Sequence, residues 1–411
     1  MFSRTFHLPD DIDPFIIGGD SGFLWSRATP EDPLLAGLGE AARIPISRPT
    51  GAVEAQQILA SIDNQYANTR PGMGPVAFAA LPYDRYASGE LIVPRVVLAA
   101  AADGERWMTI TDDGSTKADD VLHELRWMTQ NPKEPVQPTH YHVRSSVPPE
   151  VWRDEIVGQA TEIIRGGALD KVVLSREMRI SADQDFNLRQ VLDRLRDRFP
   201  TAIVFAVDGF VGASPELLVS RHGEIVRAHP LAGTAARAAD PVADARLATE
   251  LFESTKNRWE HLITIDWLLD GLLPFCSFVD AEPEPSIVSL ANVHHLGTLV
   301  EGRLAFPAAS VLELVAALHP TPAVGGDPQD EALRLQSKIE RANRGRYAGP
   351  VGWLDADGNG SFAVGIRSAQ LMGNSAVFFA GNGIVADSDP AAELAETRQK
   401  LQTMLGALVV P

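Results

Sequence analysis

Short apolar runs in this chain are separated by two-residue turn signals, and that pattern restricts how its strands can pair. Gly74–Leu81, Leu91–Ala101 and Trp107–Thr111 are strand-like, and Asp103-Gly104 and Asp113-Gly114 separate or end them. Further on, Val351–Leu354, Phe362–Leu371 and Ala376–Ala380 read as a meander through the turns Asp357-Gly358 and Gly373-Asn374. Such turns join antiparallel neighbours, whereas parallel strands need a crossover of a dozen or more residues. Lys171–Ile180, Ala202–Val207 and Leu217–Arg221 add further strands. Helical spacing appears irregularly between them. Pro149–Arg165 places Trp152, Ile156, Ala160 and Ile163 near one face and stops at Gly166-Gly167. Val53–Ile62, Asn187–Phe199, Val311–Leu318, Asp330–Ala342 and Glu393–Leu405 are also helical, and Ser254 is the N-cap candidate between Asp244–Phe252 and Lys256–Leu273. This mixture predicts an α+β fold of large antiparallel β-sheets flanked by helices, not a doubly wound one.

Residues 131–150 carry five prolines and form the best candidate linker. They would separate a strand-rich part, 1–135, from a motif-rich region, 150–411. The 411 residues carry 36 Lys+Arg against 54 Asp+Glu, a formal charge of −18. That surface repels nucleic acid and anionic membranes. An anionic small molecule would need a pocket with its own cations or metal. The single cysteine, Cys276, excludes an internal disulfide framework and a multi-cysteine zinc site. Met1–His7 has no apolar signal core, and no apolar run reaches the roughly 18 residues needed to span a bilayer. The expected location is the cytoplasm.

Some local matches fail. Residues 355–360 look like the start of an EF-hand loop, but its twelfth position is Ile366 rather than a bidentate Glu, so a hairpin turn is expected. Gly381-Asn382-Gly383 lacks the rest of a dinucleotide fingerprint. His140 and His142 alternate on a strand and read as surface histidines.

A second set of residues combines charge with apolar context beyond what a core requires. Lys171 opens a Val- and Leu-rich strand, Glu216 precedes another, and Glu260 and His261 lie inside an apolar helix. Glu393, Glu396 and Lys400 share one helical face. Taken singly, these are a snorkelling lysine, a loop carboxylate and a solvated helix face. Arg367 among strand apolars needs a partner, and a carboxylate would match it bidentately. Gly233, Gly325-Gly326 and Gly381-Asn382-Gly383 lie in turns that could offer backbone N–H groups to an anion. Gathered carboxylates with open positions suit Mg²⁺. Together the residues sketch a pocket with a hard cation, an Arg and a Lys for a carboxylated ligand.

The order and wording of these segments resemble the chorismate-utilising enzymes: isochorismate, anthranilate, aminodeoxychorismate and salicylate synthases. The matching segments run from Lys171–Arg176 through Gly212–Leu218, Pro230–Thr234, Ser254–His261 and His295–Thr298. Leu318–Gly326, Tyr347–Gly352, Ile366-Arg367, Ala380–Pro390 and Glu393–Leu401 complete the series. The resemblance implies the chorismate-utilising (anthranilate synthase component I-like) fold, with the first 135 residues integrated in the same globule. It further implies Lys171 as general base, Glu216 as general acid, and Mg²⁺ held by Glu260, Glu393 and Glu396. Gly233, Thr234, His295, Ala323, Tyr347, Arg367, Gly381, Gly383 and Lys400 would contact the substrate, with His295 a polar wall rather than a base. His319–Ala323 looks like the isochorismate branch, because the aminating members and salicylate synthases usually carry threonine at the position of Ala323. Asn257 departs from relatives that are often acidic there. The implied activity is Mg²⁺-dependent isomerisation of chorismate to isochorismate, feeding menaquinone or siderophore biosynthesis, by a monomer without a glutaminase subunit. Salicylate synthase and an aminating chorismate enzyme are the alternatives.

Overall fold

The computed structural model describes residues 1–47, 51–65, 70–131, 136–290 and 293–409. Among them, thirteen strands form one sheet, nine a second and three a small third. All pairings are antiparallel except the short one between Phe2–Ser3 and Asp63–Asn64. The two large sheets pack face to face and helices cover their outer faces. Strand Ile203–Val207 shows why both faces must be apolar. Ile203, Phe205 and Val207 join Trp25, Phe78 and Trp353 in the core between the sheets, while Val204 and Ala206 join Leu192, Leu195 and Met404 under the helices. Side chains alternate along a strand, so a strand covered on both faces is apolar throughout.

Both sheets draw strands from either side of the proline-rich stretch. Phe23–Trp25 pairs with Ile203–Val207 in the larger sheet, and Val76–Ala80 with Pro350–Asp355 in the second. Residues 132–135 of that stretch lie outside the described residues. Tyr141–Ser145, within it, is the edge strand of the larger sheet and pairs with Lys171–Ala182.

Three apolar runs cross from one sheet to the other. The run Leu91–Ala101, expected as one strand, is two: Gly89–Val93 in the second sheet and Val96–Ala100 in the larger. Pro94 and Arg95 make the bend. The run Phe362–Leu371 likewise divides into Gly360–Val364 and Ser368–Met372, on different sheets. Phe210–Ser214 passes through Pro215-Glu216 into Leu217–His222 in the same manner. The second and third crossovers are neighbours: Val364 N–H donates to Glu216 O (3.1 Å) and Ala213 N–H to Arg367 O (3.1 Å).

The helix expected over Pro149–Arg165 is interrupted. Trp152–Val157 is π-helical between two α segments. The wider turn rotates the second α segment about the axis, so Ile164 is buried in place of Ile163. Ser254 caps the long helix Thr255–Leu272, accepting from Asn257 N–H. The C-terminal helix spans Pro390–Leu408 from the N-cap Asp389. The Asp355–Gly360 segment is a hairpin turn in which the Asp355 carboxylate accepts from the N–H groups of Asp357 and Asn359. No helix among the described residues is long and apolar enough to cross a membrane.

Candidate functional site

The two adjacent crossovers open onto a cavity of ≈ 280 Å³ that all fourteen candidate residues line. One wall is the start of strand Lys171–Ala182 beside the end of Ser375–Ile384, another the small sheet, and a third the helices bearing Glu260 and Glu396.

Glu216 sits at a crossover and is 3% exposed. Burial pushes its carboxyl up to about 8, against a backbone hydrogen bond from Leu231 and the nearby charge of Lys171. It therefore enters the neutral range as an acid with a proton to give. Lys171, 8% exposed, opens the strand facing it, and its Nζ lies 2.5 Å from Glu260 Oε1. Gly383 makes room for this lysine: a Cβ there would stand 2.5 Å from Lys171 Cε.

Arg367 occupies the other crossover. Expected within a strand, it lies instead between strands with φ 52°, a left-handed conformation uncommon outside glycine. The bend leaves the side chain 7% exposed on the cavity wall, and its Nη1 has no hydrogen-bond partner among the described residues. Burial lowers this guanidinium to about 10 while Tyr347 and Glu396 oppose the shift, so it stays charged at neutral pH. A buried cationic donor left unpaired is costly unless a ligand anion completes it.

His295 faces the same space. Its Nδ1 lies 3.1 Å from both Gly233 O and Thr234 Oγ1, and the carbonyl fixes the proton on Nδ1. The bare Nε2 is buried and unpartnered among the described residues. Burial holds the imidazole down at about 3, so it is neutral and a poor base at neutral pH. Gly233 bears φ 72° at a bulge in strand Leu231–Ala236, and a Cβ there would sit 3.1 Å from the Cβ of Asn257. Tyr347 stacks on Phe379 at 5.0 Å, and burial raises its phenol to about 12. The expected glycine turns at 233 and 381–383 are strands. Gly381-Asn382-Gly383 pairs with Val173–Ser175, leaving Gly381 O to accept from Lys400 Nζ at 2.9 Å.

The three metal candidates line one cavity but are held separately. Glu260 pairs with Lys171, Glu396 Oε1 is 2.7 Å from Lys400 Nζ, and Glu393 accepts from Ser388 Oγ (2.8 Å) and Asn382 Nδ2 (2.9 Å). No group of three potential ligands converges among the described residues, so the gathered carboxylates expected from the sequence are not found as a cluster. Their chemistry still fits a hard cation. Glu393 and Glu396 lie three residues apart on one helix and line the same cavity as Glu260, and burial, with the charge of Glu396, raises the Glu393 carboxyl.

Two polar residues of the site escaped the sequence reading. Asn382 is 2% exposed and links Glu393 to Lys400 through its amide, and Ser388 holds the other Glu393 oxygen. The only signal for Asn382 was its place between two candidate glycines. Ser388, in an Asp-Ser-Asp-Pro stretch, looks like part of a helix cap.

Known proteins resemble this chain along most of its length. The family model described as "Chorismate binding enzyme" matches residues 18–409. Isochorismate synthase MenF of Bacillus subtilis is 35% identical over 358 residues, covering 82% of this chain and 75% of the relative. Isochorismate synthase DhbC of the same organism is 36% identical over 347 residues, covering 82% and 81%. Among solved structures, MenF, the menaquinone-specific isochorismate synthase from Escherichia coli, has a TM-score of 0.80. It covers 99% of this chain and 95% of that one at 24% identity, a likeness of fold.

Proposed function

We propose that this chain, which belongs to the chorismate-binding enzyme family, is an isochorismate synthase: water adds at C2 of chorismate as the C4 hydroxyl departs, and the enolpyruvyl group is retained. The reaction neither gains nor loses atoms overall, since one water enters and one leaves. The observation that carries the reading is the buried Glu216 carboxyl, with Lys171 lining the same cavity; burial raises that carboxyl to about 8.

In this reading Lys171, in its neutral amine form, takes a proton from the attacking water, and Glu216 gives one to the departing hydroxyl. General acid–base groups so placed contribute about 10²–10⁴-fold each. The Lys171–Glu260 contact must open for the amine to face that water. Arg367 and Tyr347 hold the enolpyruvyl carboxylate beside the backbone of Gly381, Gly383 leaves room for Lys171 next to it, and the guanidinium gains the partner it lacks. Neutral His295 accepts a hydrogen bond from a substrate hydroxyl through Nε2, while Gly233 and Thr234 wall the ring carboxylate end. Lys400 anchors the strand at Gly381 and neutralises Glu396.

Glu260, Glu396 and Glu393 would hold Mg²⁺. Bound there, the ion would neutralise the ring carboxylate and draw electron density from the diene. Asn382 and Ser388 keep Glu393 oriented for that role. The test is a chorismate assay with product chromatography and a coupled pyruvate measurement, with and without chelator. Isochorismate formed with little pyruvate, and only with the metal, supports the reading. Stoichiometric pyruvate with salicylate overturns it.

A further inference from the structure

Behind the cavity wall lies a buried polar frame that the proposed reaction does not use. The side chains of Glu340 and Arg344 are 7% and 3% exposed, and Arg344 Nε donates to Glu340 Oε2 at 2.9 Å. The same guanidinium donates to two backbone carbonyls, Val324 O at 2.9 Å and Val173 O at 2.7 Å. Glu340 Oε1 accepts from the backbone N–H of Ser175 at 2.6 Å and from the Ser175 hydroxyl. Gln336 repeats the bridge one helical turn earlier, donating from Nε2 to Val173 O (2.8 Å) and Gly325 O (2.7 Å). Tyr83 supports both, with its hydroxyl 2.8 Å from Gln336 Oε1 and its ring 4.4 Å under the Arg344 guanidinium.

Every one of these contacts falls on one of two backbone segments or on the frame itself. One is the strand that starts at Lys171, gripped at Val173 and Ser175. The other is the loop bearing Ala323, gripped at Val324 and Gly325. Val173, Ala323 and Val324 line the cavity. The frame therefore fixes the distance between the strand of the base and the loop facing the ring. A buried ion pair is weak evidence for stability, because well-packed apolar residues often replace one at no loss. Its bidentate geometry, completed by Arg344 Nη2 donating to Glu340 Oε1 at 3.2 Å, does fix position.

We propose that the Glu340–Arg344 pair, with Gln336, is a positioning device that sets the cavity's width between Lys171 and Ala323, and so governs both turnover and whether the product leaves with its enolpyruvyl group intact. The inference rests on the isochorismate synthase reading. Neither charged residue touches substrate; both act through the backbone of the two gripped segments.

The test uses the full chain and three variants: the double replacement Glu340→Met with Arg344→Met, the single Gln336→Met, and the conservative Arg344→Lys. Each is measured for thermal midpoint, for kcat and KM separately, and for pyruvate released per isochorismate formed. The double variant should melt near wild type, yet lose about 10²-fold in kcat, the cost of roughly 1 Å of misplacement. KM should change far less, and the pyruvate ratio should rise. Arg344→Lys keeps the charge but not the two-carbonyl bridge, and should recover only part of the loss. Gln336→Met introduces no lone charge and should show the same split if the double variant fails to fold. Wild-type kcat, KM and product ratio in the folded variants would overturn the inference while leaving the functional reading intact. So would a loss of activity that merely tracks the fraction folded. A wild-type protein that forms no isochorismate would overturn both.

Discussion

Replacing Glu216 with glutamine separates two consequences of burying one carboxyl. The side chain keeps its size and polarity, but it can no longer ionise or give up a proton. In the folded protein the carboxyl is lifted from 4.5 to about 8, mainly by burial. At about 1.36 kcal/mol per pH unit, ionising it inside the fold costs at most about 5 kcal/mol. Because the folded-state value is raised, the folded form binds more protons than the unfolded form between those two values. The stability this group contributes is fully present below pH 4.5 and is lost as pH rises from there through about 8. The glutamine variant lacks this slope. Urea unfolding of both proteins at about pH 5 and about pH 9 should show wild type losing about 4 kcal/mol more than the variant across that interval. At neutral pH the variant should remain folded and bind chorismate, but turn over roughly 10²–10⁴-fold more slowly. Equal pH dependence of stability in the two proteins would refute the protonated, buried acid. Undiminished turnover in the variant would remove Glu216 from the chemistry.

Lys171→Ala should likewise bind substrate and lose roughly 10²–10⁴-fold in rate, measured as kcat with KM near wild type. Arg367→Lys removes the planar fork and should raise KM about 10- to 100-fold, the worth of a hydrogen bond to a charged group. Chelation should abolish turnover and Mg²⁺ restore it, and Glu260→Gln and Glu396→Gln should each shift the Mg²⁺ titration to higher concentration. Full activity in excess chelator would contradict the metal assignment. Ala323→Thr should shift the product mixture or slow hydration, seen by chromatography beside a pyruvate assay.

The residues that meet in the cavity were legible because each lies in a segment whose wording is distinctive, so no three-dimensional information was needed to group them. Their conformations were less legible. Arg367 reads as a strand residue because the run before it, Val364–Ile366, is apolar, and nothing local marks the passage between sheets. Leu91–Ala101 misleads in the same way: strands buried on both faces are apolar throughout, so two strands in series resemble one long strand. The one-residue rotation from Ile163 to Ile164 is invisible because a π turn has no sequence signature in a pattern built on α spacing. The carboxylates group correctly by cavity but not by contact, since lysines from other positions intervene at Glu260 and Glu396. The Glu340–Arg344 frame leaves no trace, because many of its partners are backbone groups and Arg344 lies beyond the helix expected over Asp330–Ala342.

Product analysis of the unmodified protein tests the central claim most directly. With chorismate and Mg²⁺ at neutral pH, the reaction should stop at an equilibrium mixture of chorismate and isochorismate, and purified isochorismate should return chorismate. Pyruvate should remain a small fraction of the isochorismate formed. Stoichiometric pyruvate with salicylate, or an aminated product when ammonia is supplied, would contradict the account.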